Sequence, residues 1–322
     1  MSSRGHEPAR VELAPRANLV LGRGGVRGIA MVGAVIALHR AGWTFDRLGG
    51  ISVGGIVAAL LAAGYEPEEL RAELWRLDLT ALRDPRGRVP GVRLAGNLVT
   101  RLGLYRGDAL YAAVAALLAR KGVRTFADLR DPLRIGEGSP YRLRLLACDL
   151  TNARLVALPD DAARYGLEPD DIEIARAVRI SASLPFVFEP VRFGRGATSA
   201  MLVDGGVVAG IPFDVFDSGR DESLPTIGIQ AGPGSARFAG RPLRGLWSLA
   251  RATYYAAQQV NAQALRPRLK QHALIDIDCG MTSAVAFRIS DTEKQALFDA
   301  GFAAGRDFRP AQPRITVAVH AR

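Results

Sequence analysis

The first part of the chain repeats one pattern twice: a short apolar run, a glycine-rich turn, then an apolar segment of helix length. Residues 17–21 form the first run, and their nearly unbroken apolar character predicts a strand buried on both faces, as in a parallel sheet. The turn at 22–26 leads into a helix over about 27–41. That helix is apolar all round from Ile29 to Leu38 and is expected to lie in the interior. Gly42 ends it. A second strand ends near Ile51, and a helix follows Ser52 as far as Ala63, closed by Gly64 as a C-terminal cap. Pro67 and the two glutamates behind it mark the start of a short amphipathic helix over 67–77.

Over 80–107 the period dissolves, interrupted by Pro85, Gly87, Pro90, Gly91 and Gly96; such a segment is either a mobile lid or an ordinary surface excursion. Asp108 is then expected to cap a helix through Arg120. Strands over 141–149 and 154–158 are joined by a turn at 150–153. A helix over 171–181 leads into the apolar run 184–191, and a short strand at 201–203 ends at Asp204-Gly205-Gly206. A strand over 226–230, a helix over 243–266, a strand over 273–277 and a helix over 291–308 with Asp291 as its cap complete the chain. Strands alternating with helices, without internal repeat or linker, predict one three-layer α/β/α domain around a mostly parallel sheet. The domain is expected over 17–308, between a polar, disordered tail at 1–16 and a C-terminal tail at 309–322.

Composition bounds the chemistry. With 48% apolar residues and 35 glycines in 322 residues, a large core and many tight turns are available. Cys148 and Cys279 lie in separate apolar runs and read as small buried hydrophobes of a reducing compartment rather than a disulfide. The four histidines are scattered, no cysteine–histidine cluster exists, and neither a metal nor an organic cofactor is expected. The polar first residues lack the apolar core of a signal peptide, and 48–64 is short and glycine-rich for a membrane span. A soluble cytoplasmic protein is the expectation. Net charge is +10, yet only Lys121, Lys270 and Lys294 are lysines, so the arginine excess has a purely compositional reading. Its functional reading is attraction to an anionic lipid surface, at the inner face of a membrane, or to acidic substrates. No basic helix with interleaved aromatics points to nucleic acid.

The two glycine turns carry the candidate chemistry. Gly50-Ile51-Ser52-Val53-Gly54 places one serine between glycines after a strand and before an apolar helix, the nucleophile-elbow pattern. The first turn, Gly22 to Gly28, aims backbone N–H groups at a negative charge from a helix N-terminus. A second reading treats Gly22, Gly24 and Gly28 as a variant dinucleotide fingerprint with Asp46 as the ribose-binding acid, and hence a nicotinamide-dependent dehydrogenase or sensor. Gly24 and Gly25 as bare donors facing Ser52 explain more of the sequence. A serine nucleophile needs a base. His6, His39, His272 and His320 all lie in tails, on a buried-looking helix or at a strand start, whereas Asp204 ends a strand and is followed by two glycines. An aspartate base should titrate below the histidine range unless burial shifts it strongly.

Three signatures, Gly22-Arg23-Gly24-Gly25-Val26-Arg27-Gly28, Gly50-Ile51-Ser52-Val53-Gly54 and Asp204-Gly205-Gly206, resemble those of the patatin-like phospholipases, in that family's order. The run from Ala182 to Val191 is similar to the family's segment upstream of its aspartate, Ala147-Cys148-Asp149-Leu150 to a preceding strand, and Glu293 to Leu297 to its closing helix. The resemblance implies a Ser52–Asp204 dyad, oxyanion donors at Gly24 and Gly25, and Arg27 as the basic residue beside them. It implies hydrolysis of fatty acyl esters of phospholipids or lysophospholipids through an acyl-serine intermediate, with acyl transfer to another acceptor as the alternative outcome. Two positions depart from the pattern: Arg23 stands where glycine or serine is usual, and Gly210 where an asparagine often follows the aspartate.

Overall fold

The computed structural model describes residues 14–85, 96, 98, 100–131, 139–216, 224–232, 245, 252–253, 256, 273–280 and 282–309. Its sheet begins where the apolar pattern places it. Strand β1 (Arg16–Leu21) pairs in parallel with β2 (Thr44–Ile51), connected by α1 (Gly28–Arg40). Helix α2 (Val53–Ala62) follows β2 directly, and α3 (Pro67–Arg76) packs on both helices. The remaining strands of the main sheet are β4 (Leu143–Asp149), β5 (Arg154–Leu158), β7 (Val191–Phe193), β8 (Ala200–Asp204), β9 (Thr226–Gly232) and β10 (Ala273–Asp278). Two short strands, β3 (Gly103–Tyr105) and β6 (Phe186–Phe188), form a separate parallel ribbon.

The strand order is β10-β9-β1-β2-β4-β8-β7, with β5 on the other edge of β4. From β10 to β4 every pairing is parallel, while β8, β7 and β5 are added antiparallel, so the sheet is mixed but mostly parallel. Alternation along β1 sorts the core. Ala17, Leu19 and Leu21 face α1, α2, α4 (Asp108–Arg120), α5 (Ile174–Ser181) and α6 (Asp291–Asp307), whereas Val20 faces Ile211, Phe213 and Phe216. Most of the helix expected over 243–266, and the middle of the segment expected as a lid, lie outside the described residues.

Several boundaries differ from the sequence expectations for local reasons. Gly107, at φ 77°, occupies the N-cap of α4, and Asp108 sits in the first turn instead. Ser290, not Asp291, caps α6, because its extended backbone lets the hydroxyl accept from Glu293 N at 3.2 Å while Glu293 returns to Ser290 N at 2.8 Å. Helix α5 starts at Ile174 rather than 171, since Phe126 N donates to Ile172 O and Ile174 N to Arg124 O, holding 172–173 extended. The end of the 80–107 excursion is tied down: Asp84 accepts from the N–H groups of Gly107 and Ala109, at 2.7 and 3.0 Å, and β3 pairs with β6. Both cysteines are buried and unbridged.

Candidate active site

Ser52 sits at the sharp turn between β2 and α2 with φ 58° and ψ −128°, a left-handed conformation that costs a non-glycine residue about 1–3 kcal/mol. Such strain persists only where packing over-determines it. Gly54 has backbone pressed against the carbonyls of Leu21 and Gly22, and a Cβ at Gly28 would run into Val53. The glycine loop and the serine turn therefore pack backbone to backbone, and no larger residue fits at their contact. Gly22 is anchored from the other side, donating to Ile229 O at 2.8 Å, and Gly50 lies in the sheet opposite Leu21 and Leu145.

The sheet register brings Asp204 to Ser52. Strands β2 and β8 share one edge of β4, since Ile51 pairs with Leu146 and Asp204 with Ala147, while β5 occupies the other edge at both positions. β2 runs with β4 and β8 against it, so their C-terminal ends meet head to head. The Asp204 carboxylate is 1% exposed, stands close enough to the Ser52 side chain to be stabilised by it, and accepts from Gly206 N at 2.7 Å. Burial pushes this carboxyl up, while the bonds from Ser52 and Gly206 and the charge of Arg23 pull it back. The outcome is a value pushed up to about 6. Gly205 must lack a side chain, because a Cβ there would stand 2.7 Å from Leu146 O.

In the glycine loop, Gly25 has φ 57°, and Val26 N donates to Ala284 O at 3.0 Å. Among the described residues no backbone hydrogen bond uses the N–H of Gly24 or Gly25. Arg27 is buried, and its Nε donates to the Gly24 carbonyl at 3.0 Å, so it grips the loop from behind. The loop thus has its carbonyl side held and two N–H groups uncommitted to the backbone.

The dinucleotide alternative fails on geometry. Asp46 lies at the N-terminal end of β2, where Arg16 Nη2 donates to it at 2.8 Å. A ribose-binding acid belongs at the opposite end, beside the glycine loop, and Ser52 occupies that end. Of the histidines only His39 is among the described residues; it is exposed on the last turn of α1, roughly 16 Å along the helix from Gly28. Sequence reasoning gave no role to Ser181 or Ser183, yet both touch the site. Ser52 N donates to Ser181 Oγ at 3.0 Å, and Asp204 N donates to Ser183 O at 3.0 Å. A serine at a helix end carries no local signal separating it from a simple cap.

Residues 19–217 match the family model for patatin-like phospholipase, well over half of the chain, and the protein belongs to that family. Among curated proteins it is 36% identical over 285 residues to the uncharacterized protein YqhO of Bacillus subtilis, covering 88% of this chain and 94% of that one. It is 25% identical over 199 residues to the probable lipid hydrolase 463L of Invertebrate iridescent virus 6, covering 61% of this chain and 62% of the viral one. The fold is shared with VipD from Legionella pneumophila, with a TM-score of 0.53 at 18% identity, over 90% of this chain and 66% of that one. The viral protein and VipD are thus longer than the part this chain spans. No helix among the described residues is long and apolar enough to cross a membrane.

Proposed function

We propose that this protein hydrolyses fatty acyl esters of phospholipids or lysophospholipids, with Ser52 as nucleophile and Asp204 as base. The observation that carries the reading is a strained, half-buried serine set beside a fully buried carboxylate, which its side chain stabilises while burial raises the affinity for protons. Ser52 Oγ attacks the ester carbonyl as its proton passes to Asp204. The tetrahedral oxyanion is received by the N–H groups of Gly24 and Gly25, and Arg27 keeps that loop in place. Asp204 returns the proton to the departing alcohol oxygen, leaving acyl-Ser52. Water then attacks the acyl carbonyl as its proton passes to Asp204, and Asp204 returns that proton to Ser52 Oγ as the C–O bond to serine breaks and the fatty acid leaves. An aspartate of ordinary pKa would be a feeble base; a value of about 6 makes the transfer less costly while leaving it ionised at neutral pH.

Labelling with a fluorophosphonate probe, followed by peptide mapping, tests the assignment: the adduct is expected on Ser52, and on no other serine. Labelling that persists in Ser52→Ala sinks it.

Support for an anionic lipid surface as the place of action comes from exposed apolar side chains at the β3–β6 ribbon and the segment at 285–288. Leu102, Phe186 and Val285 are 55%, 42% and 44% exposed. Leu102 and Phe186 both hold left-handed backbones, φ 62° and 69°, beside the first pair of the β3–β6 ribbon. Tyr105, Phe188 and Phe287 form a ring triad with centroids 6.1 to 6.4 Å apart, and Arg101 and Arg288, the chain neighbours of Leu102 and Phe287, are exposed. Exposed large apolar side chains with arginines adjacent in the chain suit insertion between anionic head groups. Catalytically inert Ser52→Ala protein should sediment with phosphatidylglycerol vesicles more than with phosphatidylcholine ones. Salt should weaken that binding over the range where the screening length falls to about 10 Å. Phe186→Ser should reduce it several-fold; equal binding to both vesicle types refutes the reading.

A further inference from the structure

We infer that Ser181 is a positioning residue that sets the separation of the two reactive side chains, an inference that rests on the Ser52–Asp204 reading. Ser181 closes α5 and is wholly buried. A serine hydroxyl has one proton and two lone pairs. Here the proton goes to Leu146 O at 2.6 Å, and a lone pair accepts from Ser52 N at 3.0 Å. Leu146 is the β4 residue opposite Ile51, the last of β2, and its neighbour Ala147 is opposite Asp204. One hydroxyl therefore ties the strained backbone of the nucleophile to β4, the strand against which the base's own strand, β8, is paired.

Two residues further on, the carbonyl of Ser183 accepts from Asp204 N at 3.0 Å. Each member of the pair is thus held through its backbone N–H by the same short segment, one by a side chain and the other by a carbonyl. That segment is itself fixed. Arg179, buried, directs Nη1 to Ser183 Oγ and Nη2 to the carbonyls of Arg106 and Glu189, and Ser183 Oγ donates back to Arg179 O at 2.7 Å. A rigid bracket spanning 179–183 so fixes where Ser52 and Asp204 stand relative to each other. Without the Ser181 hydroxyl, the Ser52 N–H loses its partner, and the left-handed turn loses a contact that holds it.

The test uses Ser181→Ala in the full chain, with folding checked by circular dichroism and melting. On a short soluble ester, kcat is expected to fall about 10- to 100-fold with KM unchanged, as small misplacements of reacting groups do. The rate of fluorophosphonate labelling should fall by the same factor, and the acid limb of the pH profile should move upward as Asp204 loses the Ser52 interaction that lowers its pKa. Hydrogen exchange of the peptide covering 49–57 should quicken. Ser181→Cys, nearly isosteric but a weaker acceptor, should give an intermediate rate and supplies the test if the alanine variant does not fold. A folded variant that loses melting temperature while keeping wild-type kcat and labelling rate overturns the inference, as does unchanged exchange at 49–57. If instead Ser52→Ala retains turnover, the nucleophile assignment falls, and the exchange measurement alone still judges the contact.

Discussion

The two turns that meet at the site are built on opposite principles. The turn after β2 is strained and half-buried, packed against another glycine loop, and it presents a hydroxyl outward at the start of a ten-residue helix. The turn after β8 is relaxed, with Asp204 at φ −50°, opens only a single 3₁₀ turn and keeps its carboxylate out of water. In the proposed mechanism the difference follows from what each would have to touch. A nucleophile has to reach a substrate atom, so its turn is contorted to expose it. A base has to reach only the nucleophile, so it can be buried, and burial is what raises its pKa. One turn stores conformational strain and the other stores desolvation.

Removing either side chain should separate these roles most strongly. Ser52→Ala is expected to abolish probe labelling and ester turnover. Asp204→Asn keeps the shape of the turn but cannot take a proton, and turnover should fall by several orders of magnitude, as it does when members of a catalytic unit are lost. Labelling of Ser52 in Asp204→Asn should persist at a reduced rate, because the elbow and its donors are intact. If Asp204→Asn turns over like the native protein, the base lies elsewhere and the comparison collapses.

The desolvation side has a stability signature of known sign. The Asp204 carboxyl titrates near 6 when folded and near its ordinary value when unfolded, so between about pH 4 and pH 6 the native state holds the extra proton. Stability must therefore fall as pH rises through that window, by about 3 kcal/mol for a shift of roughly two units. Asp204→Asn has no such titration. Denaturant unfolding at pH 4 and pH 7.5 should show the variant gaining on the native protein by an amount of that order; a gap that stays constant contradicts a buried, ionised carboxylate.

Legibility in the sequence divides along the same line. The βαβα unit from Arg16 to Ala62 was readable because strand, turn and helix are contiguous, and glycine at a tight contact leaves a local mark. Ser52 belongs to that kind of information. Asp204 does not: what joins it to Ser52 is the shared edge of β4, a register between segments some 150 residues apart that no local pattern encodes. Its place at a strand end before two glycines made it a candidate base, and the resemblance of three motifs taken together joined it to Ser52. Ser181 was hidden for a further reason, since it acts through a backbone N–H and asks nothing unusual of its neighbours in sequence. The sequence left open whether burial or the neighbouring N–H groups would dominate at Asp204; burial does, and carries it to about 6.

The smallest effect expected is also the one that reads the buried turn most directly. Arg23, the residue that departs from the family's usual glycine or serine, lowers the Asp204 pKa through its charge, behind burial and the two hydrogen bonds in importance. Arg23→Gln removes that charge and keeps much of the side-chain bulk. The carboxylate then loses an attractive partner, its pKa rises further, and the acid limb of kcat/KM should move from about 6 to a higher value. Turnover at pH 8 should change little, whereas at pH 6 it should fall by a few-fold, because a smaller fraction of Asp204 is ionised there. A uniform loss at both pH values would mean that Arg23 holds the glycine loop or the substrate instead of tuning the base. A limb that moves downward would contradict the sign of the interaction, and with it the placement of a positive charge beside the buried carboxylate.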